Sequence, residues 1–118
     1  MNQETVSPGL PDVEAVKAEL QKTYGDITHI SITTDEGEKV HGYFKDPSYD
    51  LTLYVSDCMM NKEMSKGAEA MVRGCIIPEA SDTRIMDKDT HPKIAVSFVL
   101  ASMRQFKVFK VDPEIKKN

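Results

Sequence analysis

The sequence predicts an α+β fold in one domain: an N-terminal helix, an antiparallel β-hairpin and then a cluster of three helices. Three observations carry that expectation. Between Ile27 and Pro47 apolar residues recur at every second position along two arms joined by Asp35-Glu36-Gly37. On either side of that segment they recur at spacings of three and four. Prolines and glycines fall where the period changes, at Pro11, Gly25, Pro47, Gly74 and Pro92. A period near 3.6 marks helix and a period of two marks half-buried strand, so the order is helix, hairpin, helices.

The first helix is expected from about Pro11 to Tyr24. Proline suits the first turn, Asp12 and Glu14 suit the positive end of the helix dipole, and Gly25 is a stop. Its apolar stripe is Val13, Val16, Leu20 and Tyr24. In the hairpin, Ile30, Ile32, Val40 and Phe44 form the apolar face, and His29, Ser31, Thr33 and His41 the polar one. A three-residue loop with Gly37 at positive φ pairs Thr34 with Glu38, Ile32 with Val40, Ile30 with Gly42 and Thr28 with Phe44. Register and pattern then agree.

A second helix is expected from Pro47-Ser48 to about Met60, with Leu51, Tyr54, Val55, Cys58 and Met59 on its buried side. The alternation Leu51-Thr52-Leu53 also allows a short strand. A third helix, about Lys62 to Arg73, presents Met64, Ala68, Met71 and Cys75, with Gly74 as its stop. Pro78 to Thr90 carries Glu79, Asp82, Asp87 and Asp89 and is expected to be a long acidic loop. Thr90 is placed to cap a last helix from His91, with Pro92 in its first turn. Ala95, Val99, Met103 and Phe106 mark its buried face, widened by Phe98. Lys107 to Val111 either extends that helix by a turn or forms a third strand beside the hairpin. Residues 1–10 are expected to be a flexible arm, 11–111 the domain and 112–118 a charged tail.

Composition narrows the function. The 118 residues carry 15 basic and 19 acidic side chains, net −4, with the cations scattered apart from Lys107, Lys110, Lys116 and Lys117. That balance argues against nucleic acid, whose phosphates need a basic face. No run approaches the ~18 apolar residues of a membrane span, and the N-terminus lacks the basic and apolar regions of a signal peptide. Cys58 and Cys75 sit at apolar helical positions, so buried, reduced thiols in a cytoplasmic protein are expected.

Candidate chemistry is sparse. His29 and His41 share one hairpin face, but zinc needs three or four convergent ligands, and no cysteine or carboxylate on that face completes a set. Two solvent-facing strand residues beside Tyr43 are the better account. Asp87-Lys88-Asp89 opens like a calcium loop, yet the sixth and twelfth positions hold Pro92 and Phe98. Ser56, Ser81 and Ser97 lack a nucleophile elbow, and Gly67 and Gly74 make no phosphate cradle. No enzyme signature and no cofactor motif is present. Methionine is the one suggestive side chain. Met60, Met64, Met71 and Met103 are candidate partner-binding residues, since a flexible thioether side chain re-packs against varied surfaces. Helical spacing turns Met59, Met64 and Met71 toward the core and leaves Met60 the most exposed.

From about Val13 to Val111 this order resembles the small tail assembly chaperones of long-tailed bacteriophages. The resemblance is carried by the short helix ending in Tyr24-Gly25, the hairpin with its exit Gly42-Tyr43-Phe44-Lys45-Asp46-Pro47, the helix around Ala68-Glu69-Ala70, the break Gly74-Cys75-Ile76-Ile77, the acidic loop and the final helix. It departs from the family in the sulfur-rich Cys58-Met59-Met60. The resemblance implies a non-catalytic protein of the host cytoplasm. Its partners would be the tape measure protein, whose helical segments lay apolar faces into grooves between helices, and tail tube subunits that displace it. Many members also exist as a longer frameshifted form, and Lys116-Lys117-Asn118 is compatible with an A-rich slippery run.

Overall fold

The computed structural model describes residues 12–105. The arm, Pro11, Phe106, the segment 107–111 and the tail lie outside the described residues. Within them the fold is α+β: α1 (Val13–Tyr24), β1 (Ile27–Thr33), β2 (Lys39–Lys45), α2 (Tyr49–Met60), α3 (Met64–Cys75), a 3₁₀ turn (Thr83–Met86) and α4 (Pro92–Gln105).

The hairpin has the expected register, with Ile32 opposite Val40, Ile30 opposite Gly42 and Thr28 opposite Phe44. Thr34 N donates to Glu38 O at 2.8 Å, and Gly37 closes the turn at φ +88°, where a β-carbon would be strained. The apolar face is buried as the pattern requires: Ile30, Val40 and Phe44 pack with Val55, Met71, Val72, Cys75, Ile85 and Phe98.

The other face is covered over part of its length, while Ser31, Thr33 and Lys39 near the loop are exposed. Ile27 and Tyr43 on it are buried with Ile77, and Val13, Val16, Leu20 and Tyr24 of α1 pack over them. The hairpin therefore lies between α1 on one side and the α2–α4 cluster on the other. Alternation conceals this, because Ile27 and Tyr43 lie together at the open end of an otherwise polar face. The α1 helix starts where Asp12 Oδ1 accepts from Ala15 N at 3.3 Å, and none of its residues is fully buried. It is a cover, held by a partial stripe.

The predicted acidic loop also has a structural task. Ile77 N donates to Tyr43 O at 2.9 Å, Tyr43 N to Ser81 Oγ at 2.9 Å, and Asp82 N to His41 O at 3.0 Å. An isolated antiparallel bridge joins Phe44 to Ile76. Residues 76–82 thus satisfy the outer edge of β2, an edge that would otherwise offer itself to another chain. Among the described residues this bridge is the addition to the hairpin, whereas the candidate third strand at 107–111 falls outside them. Ile85 in the 3₁₀ turn plugs the core, and Arg84 pins the turn by reaching Glu38 (2.7 and 3.1 Å) and Asp82 (2.8 Å).

Helix α2 begins at the Ser48 cap, whose Oγ accepts from Leu51 N at 3.1 Å, so Leu51-Thr52-Leu53 is helical. The start of α1, both ends of α3 and the cap of α4 differ from expectation. The α3 helix starts two residues later, at Met64, and runs through Gly74 to Cys75. Gly74 is a packing residue: a β-carbon there would lie 2.5 Å from Leu51 Cδ2, and one at Gly67 would lie 3.1 Å from Cys58 Cβ. The helices α2 and α3 touch through these two positions. Before α4, Thr90 does not cap; its N–H donates to Asp87 Oδ1 at 3.1 Å, and His91 O receives Ala95 N at 3.0 Å.

Between α2 and α3, Lys62 adopts φ +62°. A side chain in that region costs about 1–2 kcal/mol, and glycine returns roughly 0.5–1 kcal/mol of that as unfolded-state entropy. Lys62→Gly is expected to stabilise the protein by about 0.5–1 kcal/mol in urea denaturation. A loss of stability would show that the lysine side chain holds the turn.

Candidate functional site

Of the four methionines proposed from sequence, three are at the surface. Met60 is 80% exposed, Met64 44% and Met103 41%. Met71 is not a surface residue. It is 4% exposed, packs in the main core, and lies 3.7 Å from Cys75 Sγ through its sulfur. Helical spacing places Met71 inward correctly but does the same for Met59 and Met64, and both are exposed. In α2 the covered positions are Val55 and Cys58, so Tyr54 and Met59 on their flanks face outward.

The larger correction concerns α4. Its most buried residues are Phe98 and Ser102, not the row Ala95, Val99 and Met103. Ser102 occupies a core position because its hydroxyl donates to Val99 O at 2.7 Å, one turn back, which removes the cost of hiding it. An apolar-spacing argument passes over a buried serine. The core-facing side of α4 is centred on Phe98 and Ser102, and Val96, Leu100 and Met103 stand 52%, 57% and 41% exposed. At spacings of four and three they form one stripe.

Beside Val96 runs an open groove of ≈ 700 Å³ between α3, the 3₁₀ turn and α4. Val72, Ile85, Met86, Ala95 and Val99 supply its apolar lining. Sequence reasoning missed Val96 and Leu100. The available signal was that α4 carries apolar residues at Ile94, Ala95, Val96, Phe98, Val99, Leu100, Ala101 and Met103, more than one face can bury. A second, polar cleft of ≈ 380 Å³ lies between the hairpin loop and the start of α4, crossed by Lys93 Nζ–Asp35 Oδ2 at 2.7 Å.

His29 and His41 do come together, and α1 rather than open solvent lies over their face. His29 Nε2 and His41 Nδ1 are 2.9 Å apart, with ring centroids at 5.1 Å, and the Tyr43 ring is 4.9 Å from His29. Among the described residues no three His, Cys, Asp or Glu side chains group as a metal set. Tyr43 Oη is buried with no hydrogen-bond partner in the described structure. Cys58 lies in the α2–α3 contact, on the far side of the hairpin from both histidines, so these three do not form one constellation. Both cysteines are buried, and burial pushes the Cys75 thiol up to about 11.

Burial holds the His29 pKa below its ordinary value, aided by His41 and by Lys17 of α1 and opposed by Glu14. A histidine with a depressed folded-state pKa contributes stability above about pH 6.5, which is lost as pH falls toward the folded value. Denaturation midpoints are expected to drop between about pH 7 and 5, before the carboxylates titrate, and His29→Gln is expected to flatten that drop. An unchanged slope in the variant would assign it to other groups.

No protein family, curated protein or solved structure matches this chain. No helix among the described residues is long and apolar enough to cross a membrane.

Proposed function

We propose that this protein is a non-catalytic assembly chaperone that holds apolar helical segments of a protein partner until another protein displaces it. The observation that supports this reading best is the stripe Val96, Leu100 and Met103 on α4, exposed beside the apolar-lined groove between α3 and α4. A partner helix with apolar residues at spacings of three and four would lie along that stripe and cover it, as in other helix-in-groove contacts. Met60 and Met64, at the turn between α2 and α3, add adaptable side chains. An open, shallow groove suits reversible binding, since little has to reorganise for release.

Joined to the family resemblance, this becomes a specific proposal: a tail assembly chaperone of a long-tailed phage or prophage, acting in the host cytoplasm on the tape measure protein and displaced by tail tube subunits. It predicts a neighbouring gene for a very long helical protein that co-purifies with the chain when the two are expressed together. The absence of such a gene, or clean separation of the two proteins, would remove the phage reading. Recovery of an unrelated partner through the α4 stripe would turn the account toward a small cytosolic adaptor.

A further inference from the structure

We infer that the groove between α3 and α4 selects an amphipathic helix flanked by acidic side chains. The inference rests on the proposed helix-binding function and adds the chemistry of the segment bound. The chain as a whole is acidic, with 15 basic residues against 19 acidic. Its groove has the opposite sign. Lys66 and Arg73 of α3, Lys88 of the linker and Lys93 of α4 line it, against the single carboxylate of Glu69.

Lys66, Arg73 and Lys88 are loosely paired, whereas the Lys93 ammonium is drawn to Asp35 across the second cleft. Lys66 lies 4.0 Å from Glu63, Arg73 3.3 Å and Lys88 3.8 Å from the same Glu69 oxygen, and Lys93 2.7 Å from Asp35. All are exposed pairs, which contribute little to folding and exchange readily for carboxylates brought by a partner. Two cations share one carboxylate oxygen, so the site holds more positive charge than its own acids neutralise. Between the charges the lining is apolar, from Val72 to Val99. An apolar centre between cationic walls matches a helix with an apolar stripe and acidic residues on both sides of it. The α3 helix has 12 residues, which sets a partner of roughly 18 Å, about three turns. The exposed residues Leu100 and Met103 continue the stripe beyond that length.

The test is fluorescence anisotropy of the full chain with three labelled peptides of one apolar helical pattern, flanked by Glu, Gln or Lys. The Glu peptide is expected to bind at least about tenfold tighter than the Gln peptide, with the Lys peptide weakest and the preference fading as salt rises. Charge reversal of the walls (K66E, R73E, K88E and K93E together) is expected to invert the order. Circular dichroism confirms that this variant is folded, and R73E with K88E alone should abolish the preference if the fourfold variant does not fold. Equal binding of Glu and Gln peptides, blocked by Val96→Glu, would overturn the acidic selection while leaving helix binding in place. Binding of none of the three would overturn both.

Discussion

Phe98→Ala is expected to remove about 3–5 kcal/mol of stability, a large part of the roughly 5–15 kcal/mol a domain possesses. Phe98 is fully buried and joins α4 to the hairpin, with its ring centroid 6.3 Å from that of Phe44. At Gly42 the hairpin meets it with no side chain. A β-carbon on Gly42 would sit 2.8 Å from Phe44 Cε1, 2.9 Å from Ile85 Cδ1 and 2.9 Å from Phe98 Cε1. These neighbours belong to β2, the 3₁₀ turn and α4, so no single shift relieves the crowding. Gly42→Ala is accordingly expected to cost about 1–3 kcal/mol, toward the upper end. The two changes share one volume and should not add: Gly42→Ala is expected to cost less in the Phe98→Ala background than in the parent. Urea denaturation of the four proteins measures this. Additive losses would mean that the three-way contact at Gly42 is not what limits the site.

The second large effect is on binding and leaves the fold intact. Val96, Leu100 and Met103 are more than two-fifths exposed, so charging them disturbs little packing. Val96→Glu, Leu100→Glu and Met103→Glu together are expected to change stability by less than about 1 kcal/mol. Affinity for the helical partner should fall by about a hundredfold or more, as when central anchors of an interface are lost. Met71→Ala is the contrasting case. Met71 is a core residue, so its substitution should lower stability by about 2–5 kcal/mol while leaving the binding surface of the remaining folded protein unchanged. Together the variants separate a methionine that holds the fold from those that face a partner.

These expectations show which features the residues announced and which they hid. The hairpin was legible to the residue, because a period of two, a three-residue loop and Gly37 each specify the same register. Helix order was legible for the same reason, from apolar spacing and caps such as Ser48. Burial within helices was less so. Spacing gives a stripe relative to itself, and its orientation depends on what the neighbours leave room for. In α3, Gly74 reads as a stop but is, with Gly67, a position where side chains of α2 pack closely. In α4, a hydrogen-bonded serine lies in the core, and Met103, expected inward, is exposed together with Val96 and Leu100.

Residues 78–85, within the stretch Pro78 to Thr90 read as an acidic loop, were hidden for another reason. Their polar letters suggested solvent, whereas Ser81 and Asp82 use backbone and side chain to complete the edge of β2, and Ile85 fills the core between them and α4. Local composition does not reveal a long-range edge partner. The same holds for α1, whose weak stripe gave no sign that it covers the histidine face.

Hydrogen exchange of the full chain, alone and with the co-purified helical partner, tests the binding account most directly. Slowed exchange on complex formation is predicted in α3 from residue 65 to 73, at 85–86 and in α4 from 92 to 103, with α1 and the hairpin unchanged. Protection confined to α1 or to the hairpin, with α4 exchanging as in the free protein, would contradict it.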